Sequence, residues 1–373
     1  MDHAMRILVD ASVLQLDLTG VGRVLLGLYE AATRIEPGIR VCAVHQHDLR
    51  CVVPNGVITK RIRAGKVHPA LWRHLAFRTY AITNGYDVVH FPWNSGVIRP
   101  RKHCRVILTL HDVIPLVLPE RYFQSERELK RFREKLQFNV DHADLVLTDS
   151  HTSKNDIAQH LSLKREPLVV YPAPTLNVAP AAPKWRDSGP NLQDGYFVYV
   201  GGFDQRKGLD QLIRVYTDLF VRQNVSVPLV VVGKRGFLGE QFEQQLDRAQ
   251  TAGAVRLTGY VDDPELAGLL VGARALIYPS LYEGFGYPPL EAMSLGCPVL
   301  TSGAGAIREV CSDAALYFER ADDHSLAEGI VSLCDDVSLR AQMSGRGLAR
   351  SRCFSWEASA KCFLAALSEQ GVN

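Results

Sequence analysis

Short apolar runs that stop at a glycine or a polar turn, each handing over to a helical pattern, recur along the chain. In the second half Tyr196–Val200 ends in Gly201-Gly202, and Pro228–Val232 ends at Gly233. Val255–Thr258 ends in Gly259-Tyr260, and Ala275–Ser280 runs into a turn at Glu283. Runs this short, bounded by turn residues, read as strands buried on both faces. Helical patterns over Leu209–Phe220, Leu238–Thr251 and Pro264–Val271 separate them. Such alternation predicts a parallel sheet covered by helices on both faces. In a sheet of that kind the strand-to-helix turns open on one edge, where ligands bind.

The first half repeats the scheme. Arg6–Asp10, Arg40–His45, Asp87–Phe91, Arg105–Leu110, Asp144–Thr148 and Leu168–Tyr171 read as strands, with helical patterns over Ser125–Asp141 and Ser150–Leu161. A chain of 373 residues fits two domains of middling size. Pro172–Gly195 carries five prolines and few large apolar residues, so it reads as the linker. The expected division is residues 1–175, residues 176–352 and a terminal segment, 353–373. Within that segment Trp356–Leu367 is amphipathic through Phe363, Leu364 and Leu367 and needs a surface to cover.

Charge divides along the same line. Residues 1–175 hold 24 Lys and Arg against 17 Asp and Glu, a net of +7, which leaves −5 for the remainder of a chain whose total is +2. The split points to different partners for the two halves. No apolar run reaches the roughly 18–20 residues that span a bilayer, and the start lacks a signal-peptide apolar region. Eight cysteines without a CxxC pair suggest neither a zinc site nor a disulfide framework, and fit a reducing, cytoplasmic setting. Between Lys60 and Tyr80 lie Lys60, Arg61, Arg63, Lys66, Arg73 and Arg78 without an acid, interleaved with Leu71, Trp72, Leu75 and Phe77. This is either a basic amphipathic helix with Trp at its margin, lying on an anionic membrane, or a core-packed helix with a solvated basic face.

The chemistry concentrates at Glu283-Gly284-Phe285-Gly286-Tyr287-Pro288-Pro289-Leu290-Glu291. A strand, a turn with exposed amides and a helix N-terminus make an anion site. Pro288 and Pro289 suit the first helical turn, Glu291 is expected within it, and Gly296 stops the helix. Arg206 and Lys207 follow Gly201-Gly202 closely enough to reach the same edge, where they suit a diphosphate. An ionised Glu291 only accepts hydrogen bonds, which suits a ribose diol, and Glu283 is placed to accept from sugar hydroxyls. His111-Asp112 stands at the end of a strand, where polar side chains meet the ligand crevice. Gly20-Val21-Gly22-Arg23 opens a helix, but its spacing is not GxGxxG and disfavours an NAD site. Each feature also has a plainer explanation: Glu291 as a helix cap, Asp112 closing its own turn, Gly20 and Gly22 as loop glycines. Those explanations treat the features singly and leave the common edge at Glu283 and Arg206 unexplained.

Glu283 and Glu291, with seven residues between them, in the stretch that reads GFGYPPLEAMSLGCPV after Glu283, resemble the paired-glutamate motif of the family 4 retaining glycosyltransferases. Gly201-Gly202 with Arg206-Lys207-Gly208 is similar to that family's diphosphate turn. His111-Asp112 with Pro115 is similar to its acceptor-side histidine motif, and Gly20-Val21-Gly22-Arg23 to its first glycine loop. The resemblance implies the GT-B fold: two Rossmann-like α/β domains with parallel sheets facing a cleft, acceptor in the first, nucleotide-sugar donor in the second. It also implies a last helix that crosses back onto the N-terminal domain. Arg206, Lys207, Glu283 and His111 would then carry the reaction. Gly201, Gly202, Gly259, Tyr260, Gly284, Phe285, Gly286, Tyr287 and Glu291 would hold the donor, and Gly20, Gly22, Arg23 and Asp112 the acceptor or a phosphate.

The implied reaction is a front-face substitution with retention, independent of metal, with no cofactor beyond the nucleotide sugar. Among family members the motifs look most like bacterial O-antigen and exopolysaccharide mannosyltransferases, which implies GDP-mannose and a saccharide or lipid-linked acceptor at the inner face of the cytoplasmic membrane. UDP-hexose and dTDP-rhamnose are the competing donors. A sugar-nucleotide 2-epimerase shares the architecture but does not need the paired glutamates. Arg308-Glu309-Val310 departs from the family's Pro-Glu-Val, which bears on the shape of the donor-side loop.

Overall fold

The structure is a computed structural model that describes residues 4–15, 20–63, 67–94, 96–176, 178–181 and 195–368. It divides into two units, Met1–Ala173 with Phe354–Asn373, and Pro174–Cys353. Part of the expected linker, residues 177 and 182–194, lies outside the described residues.

The first unit is built on strands β1 Arg6–Asp10, β2 Arg40–His45, β3 Val57–Arg61, β4 Val88–Phe91, β5 Arg105–Thr109, β6 Leu145–Thr148 and β7 Leu168–Val169. All pairings are parallel and the order is β3-β2-β1-β4-β5-β6-β7. The order reverses between β1 and β4, which is the switch point of a doubly wound sheet. Residues such as Leu8, Val89 and Ile107 are fully buried because helices cover both faces.

The terminal helix Trp356–Ser368 belongs to this unit, which explains its apolar stripe. Phe363 is fully buried, 5.8 Å from the Tyr29 ring in an edge-on arrangement. A Cβ on Gly27 would stand 2.4 Å from the Trp356 indole, so the helix Gly20–Ile35 admits the terminal helix only because residue 27 has no side chain. Arg105 donates to the carbonyls of Ala366 at 2.9 Å and Leu367 at 3.1 Å, satisfying the helix C-terminus.

The Lys60–Tyr80 stretch is not one helix. Its first residues belong to the edge strand β3, Lys66 lies outside the described residues, and the rest forms Pro69–Trp72, a π-turn Arg73–Phe77 and Arg78–Asn84. Trp72 is a core residue, 1 % exposed, with its indole N–H donating to the Ile62 carbonyl at 3.0 Å. Phe77 is buried as well, and Arg73 pairs with the buried Asp10. Of the two readings of this stretch, the core-packed one holds for Trp72, which does not lie at a surface margin. Among the residues facing outward are Leu71, 50 % exposed, Leu75, 59 % exposed, and Arg78.

The second unit repeats the plan with β8 Phe197–Val200, β9 Leu229–Val232, β10 Val255–Gly259, β11 Ala275–Tyr278, β12 Val299–Thr301 and β13 Leu316–Tyr317, in the order β10-β9-β8-β11-β12-β13. Every pairing is again parallel, and the switch point falls between β8 and β11. The helix Leu209–Val221 lays Leu212, Ile213 and Tyr216 on Phe197, Val231 and Ile277. No helix among the described residues is long and apolar enough to cross a membrane.

Candidate functional site

Three glycines bring the ends of β8, β9 and β10 together. The Gly201 N–H donates to the Val232 carbonyl at 2.9 Å, and the Gly233 N–H to the Gly259 carbonyl at 2.9 Å. Gly233 has φ +148°, and a Cβ there would stand 2.0 Å from the Gly201 carbonyl oxygen. Strand ends so closely apposed leave backbone, not side chains, on the edge of the sheet. A Cβ on Gly202 would meet nothing within 4 Å, so that residue borders open space. Tyr260, next to Gly259, is exposed.

Beyond Gly201-Gly202 the chain makes a short 3₁₀ turn, Gln205–Lys207, capped by Asp204, whose carboxylate accepts the Arg206 N–H at 2.8 Å. The turn is locked to the segment after β11: Leu281 N–H donates to the Arg206 carbonyl at 2.7 Å. Gly208, at φ +65°, lies so near that a Cβ would meet the Pro279 carbonyl oxygen at 2.3 Å. Arg206 and Lys207 are thereby delivered across the switch point to Glu283.

Glu283 Oε1 accepts from Lys207 Nζ at 2.6 Å, Ser280 Oγ at 2.6 Å and Tyr278 OH at 2.7 Å, and pairs with Arg206 at 3.0 Å. Lys207 Nζ also donates to Tyr278 OH at 2.9 Å, and Arg206 donates to the Tyr282 carbonyl. Burial alone would push this carboxyl up. The charges of Lys207 and Arg206, with the hydrogen bonds from Lys207 and Ser280, overcome that and hold it at about 2. Tyr278 goes the other way, its phenol held well above the ordinary range by burial and by the neighbouring carboxylate. Glu283 is thus an ionised group between two cations, and the cluster as a whole is positive.

The next element opens at Gly286, which has φ +104° and caps the helix Tyr287–Ser294, with Pro288 and Pro289 in its first turn. Phe285 and Tyr287 pack edge to face, 5.5 Å between centroids. Glu291 sits in the second turn of this helix rather than the first, so the expected dipole contact at the N-terminus is not what places it. It is buried, and its Oε1 accepts from Thr175 Oγ1 at 2.6 Å. The turn at Glu283 is pinned from behind by the Ala306 N–H, which donates to the Glu283 carbonyl at 2.9 Å. Arg308 takes the second position of the helix Ile307–Cys311 and stacks on Tyr317 at 4.4 Å. A proline fits the same place, so the departure from Pro-Glu-Val leaves a helical start, with Glu309 in the first turn.

In the first unit the polar cluster stands beyond β4, β5 and β6. His111 Nδ1 is 2.7 Å from Asp149 Oδ2, and Nε2 is 3.2 Å from the Pro92 carbonyl oxygen. Asp112 closes its own turn by accepting the Ile114 N–H at 3.1 Å, the plainer of the two roles considered for it. Below His111, His90 links Tyr29 OH at 2.8 Å to Thr109 Oγ1 at 2.7 Å. Burial, helped by the His111 charge, pushes His90 down to about 3, so it is neutral. Gly20 and Gly22 do begin a helix, Gly20 exposed and Gly22 buried, but residues 16–19 before them lie outside the described residues. Arg23 follows in the first turn.

Several residues were not singled out from sequence. Asp149 follows a strand as His111 does, so the same strand-end rule points to it. Tyr278 ends the strand that leads to Glu283, and Ser280 follows it. Thr175 carries no local signal: it reaches Glu291 across 116 positions.

The family model for Glycosyl transferases group 1 matches residues 183–350, and that for Glycosyltransferase Family 4 matches residues 18–174. The O-antigen chain mannosyltransferase B of Escherichia coli is 34 % identical over 69 % of this chain and 68 % of its own length. Among solved structures, a sucrose-phosphate synthase from Thermosynechococcus elongatus superposes with a TM-score of 0.78 at 20 % identity, covering 98 % of each chain. HepE from Anabaena, solved with UDP and glucose, gives 0.73 at 18 % identity over 98 % of this chain and 100 % of that one. These neighbours share the GT-B fold, and with both halves of the chain matched and a relative this similar, the chain belongs to the family 4 glycosyltransferases.

Proposed function

We propose that this glycosyltransferase moves a hexose from a nucleotide-diphosphate sugar to a saccharide or lipid-linked saccharide, with retention of configuration, in cell-surface polysaccharide synthesis. The observation that carries the reading is the Arg206–Glu283–Lys207 cluster at the β8/β11 switch point, a surplus of positive charge held in fixed geometry. Such a cluster suits a leaving diphosphate, whose growing charge it meets without reorganisation. The open space beside Gly202 borders the same sheet edge and leaves room for the anion. In this reading the second unit holds the donor, with Glu291 on the ribose and Gly259 and Tyr260 near the base, and the first unit receives the acceptor.

Mannose from GDP-mannose is the favoured donor, supported by the similarity to an O-antigen mannosyltransferase. UDP-glucose-type donors are the second reading, supported by the fold neighbour solved with UDP and glucose. The two cations perform the task a metal would, so transfer is expected to persist in a chelator. Leu71, Leu75 and Arg78 form the outward face proposed to rest on an anionic membrane carrying the acceptor. The test is incubation of the purified chain with GDP-mannose, UDP-glucose or dTDP-rhamnose and a lipid-linked saccharide, with and without EDTA. The anomeric configuration of the product is then read by NMR. Mannosyl transfer from GDP-mannose with retention is expected. Turnover of a donor in the absence of acceptor would identify a 2-epimerase instead.

A further inference from the structure

His111 faces hydrogen-bond acceptors on both ring nitrogens. Nδ1 is 2.7 Å from Asp149 Oδ2, and Nε2 is 3.2 Å from the Pro92 carbonyl oxygen. A neutral imidazole has one N–H and one lone pair. In either neutral tautomer a ring lone pair would point at a carboxylate or at a carbonyl. Only the doubly protonated ring satisfies both neighbours.

The surroundings agree. His111 and Asp149 are both buried at the ends of adjacent strands, β5 and β6, so the pair meets with little screening. The charged and titratable groups facing the ring are Asp149, Asp112 in the next position and His90 beneath it, the last neutral. Burial would push the imidazolium down, but the Asp149 charge and hydrogen bond, with the Pro92 carbonyl and Asp112, push it up by more, and the balance is a raised value. Further polar contacts are to the backbone: the His111 N–H donates to Asn94 Oδ1 at 3.3 Å, and Thr148 Oγ1 donates to the His111 carbonyl at 3.3 Å.

We propose that His111 is held as an imidazolium at neutral pH, with Asp149 as the positioning residue that keeps it so. It then serves the bound sugar as a fixed cation and N–H donor, never as a base. The second half of this inference rests on the glycosyltransferase reading of the site. With both ring nitrogens protonated, His111 has no lone pair for the proton of the acceptor hydroxyl. As the bond from the anomeric carbon to the diphosphate oxygen breaks and the bond to the acceptor oxygen forms, that proton goes to the leaving diphosphate. The longer contact, at Nε2, is the one an incoming sugar oxygen can share.

The experiment is ring-nitrogen NMR of the full chain with labelled histidine, assigned by comparison with His111→Gln. Both His111 nitrogens are expected to be protonated at neutral pH, and Asp149→Asn is expected to move the titration down by about one to three pH units. Because folded proton affinity is raised, the charge is complete below the ordinary histidine value and is lost as pH rises through the folded one. The alkaline limb of kcat/KM should therefore move to lower pH in Asp149→Asn. A single neutral tautomer in the unmodified chain at neutral pH, or a titration unchanged by Asp149→Asn, overturns the protonation claim. Because the NMR needs no turnover, it decides that claim separately from the glycosyltransferase reading. An imidazolium whose loss leaves the pH profile where it was would overturn the role in transfer.

Discussion

Gly305 and Glu283 meet backbone to backbone: a Cβ on Gly305 would stand 2.4 Å from the Glu283 carbonyl oxygen and 2.8 Å from its nitrogen. Gly305 also has φ +64°, where a side chain is strained. Gly305→Ala is therefore expected to displace the loop that pins Glu283 and to destabilise the second unit by about 1–3 kcal/mol. Urea unfolding followed by fluorescence measures this. A variant as stable as the parent would mean the loop moves aside freely.

Lys207 is one of two cations on the Glu283 carboxylate, and the only one also bonded to Tyr278 among the contacts described. Lys207→Ala should lower kcat by about 10²–10³-fold if the ammonium meets charge on the leaving group. Arg206, Ser280 and Tyr278 still satisfy Glu283, so the variant should fold, which circular dichroism checks. Near-parental turnover would remove Lys207 from the reaction.

Glu283 is held at about 2 in the fold against an ordinary 4.5. The sign follows from linkage: the stability this carboxylate contributes is full above the ordinary value and is lost as pH falls towards the folded one. Glu283→Gln should be less stable than the parent at neutral pH, with the gap narrowing as pH falls below about 4.5. Thermal melts of both proteins across the acid range test this. A gap independent of pH would show that packing, and not charge, is what the substitution removes.

Gly27 admits the Trp356 indole. Gly27→Leu cannot be accommodated without moving the terminal helix, and overpacking of this kind costs about 1–3 kcal/mol or more. Limited proteolysis should cut the variant near the start of the terminal helix, while the second unit stays resistant. Uniform protection of both units would contradict the packing described.

The parallel α/β plan was legible because strand, turn and helix each leave a local mark. β2 runs Arg40–His45, as its apolar pattern predicts, and Ser125 and Ser150 cap the helices that begin after them. β3 was not legible: Val57–Arg61 is an edge strand whose middle residues are exposed, so it has no apolar signature. The basic residues around it suggested one helix instead, and the sequence left open whether Trp72 was marginal or core, which tertiary packing decides by burying it. At the site, Arg206, Lys207 and Glu283 were each visible as strand-end residues. Their convergence on one carboxylate oxygen depends on turns locked by Gly208 and Gly305, which only the folded backbone reveals. Thr175 beside Glu291 is a purely tertiary contact, without a spacing to betray it.

The first unit is discontinuous in sequence, closing only when Phe354–Asn373 returns to Met1–Ala173. Phe363 fills a place in its core that nothing made earlier supplies. During synthesis the residues translated first must therefore wait, incompletely sealed, while the whole of Pro174–Cys353 emerges, and the later-made unit can finish folding before the earlier one. A ribosome that stalls short of Phe354 leaves the Tyr29 side of the first sheet open, the state in which a chaperone would find its substrate.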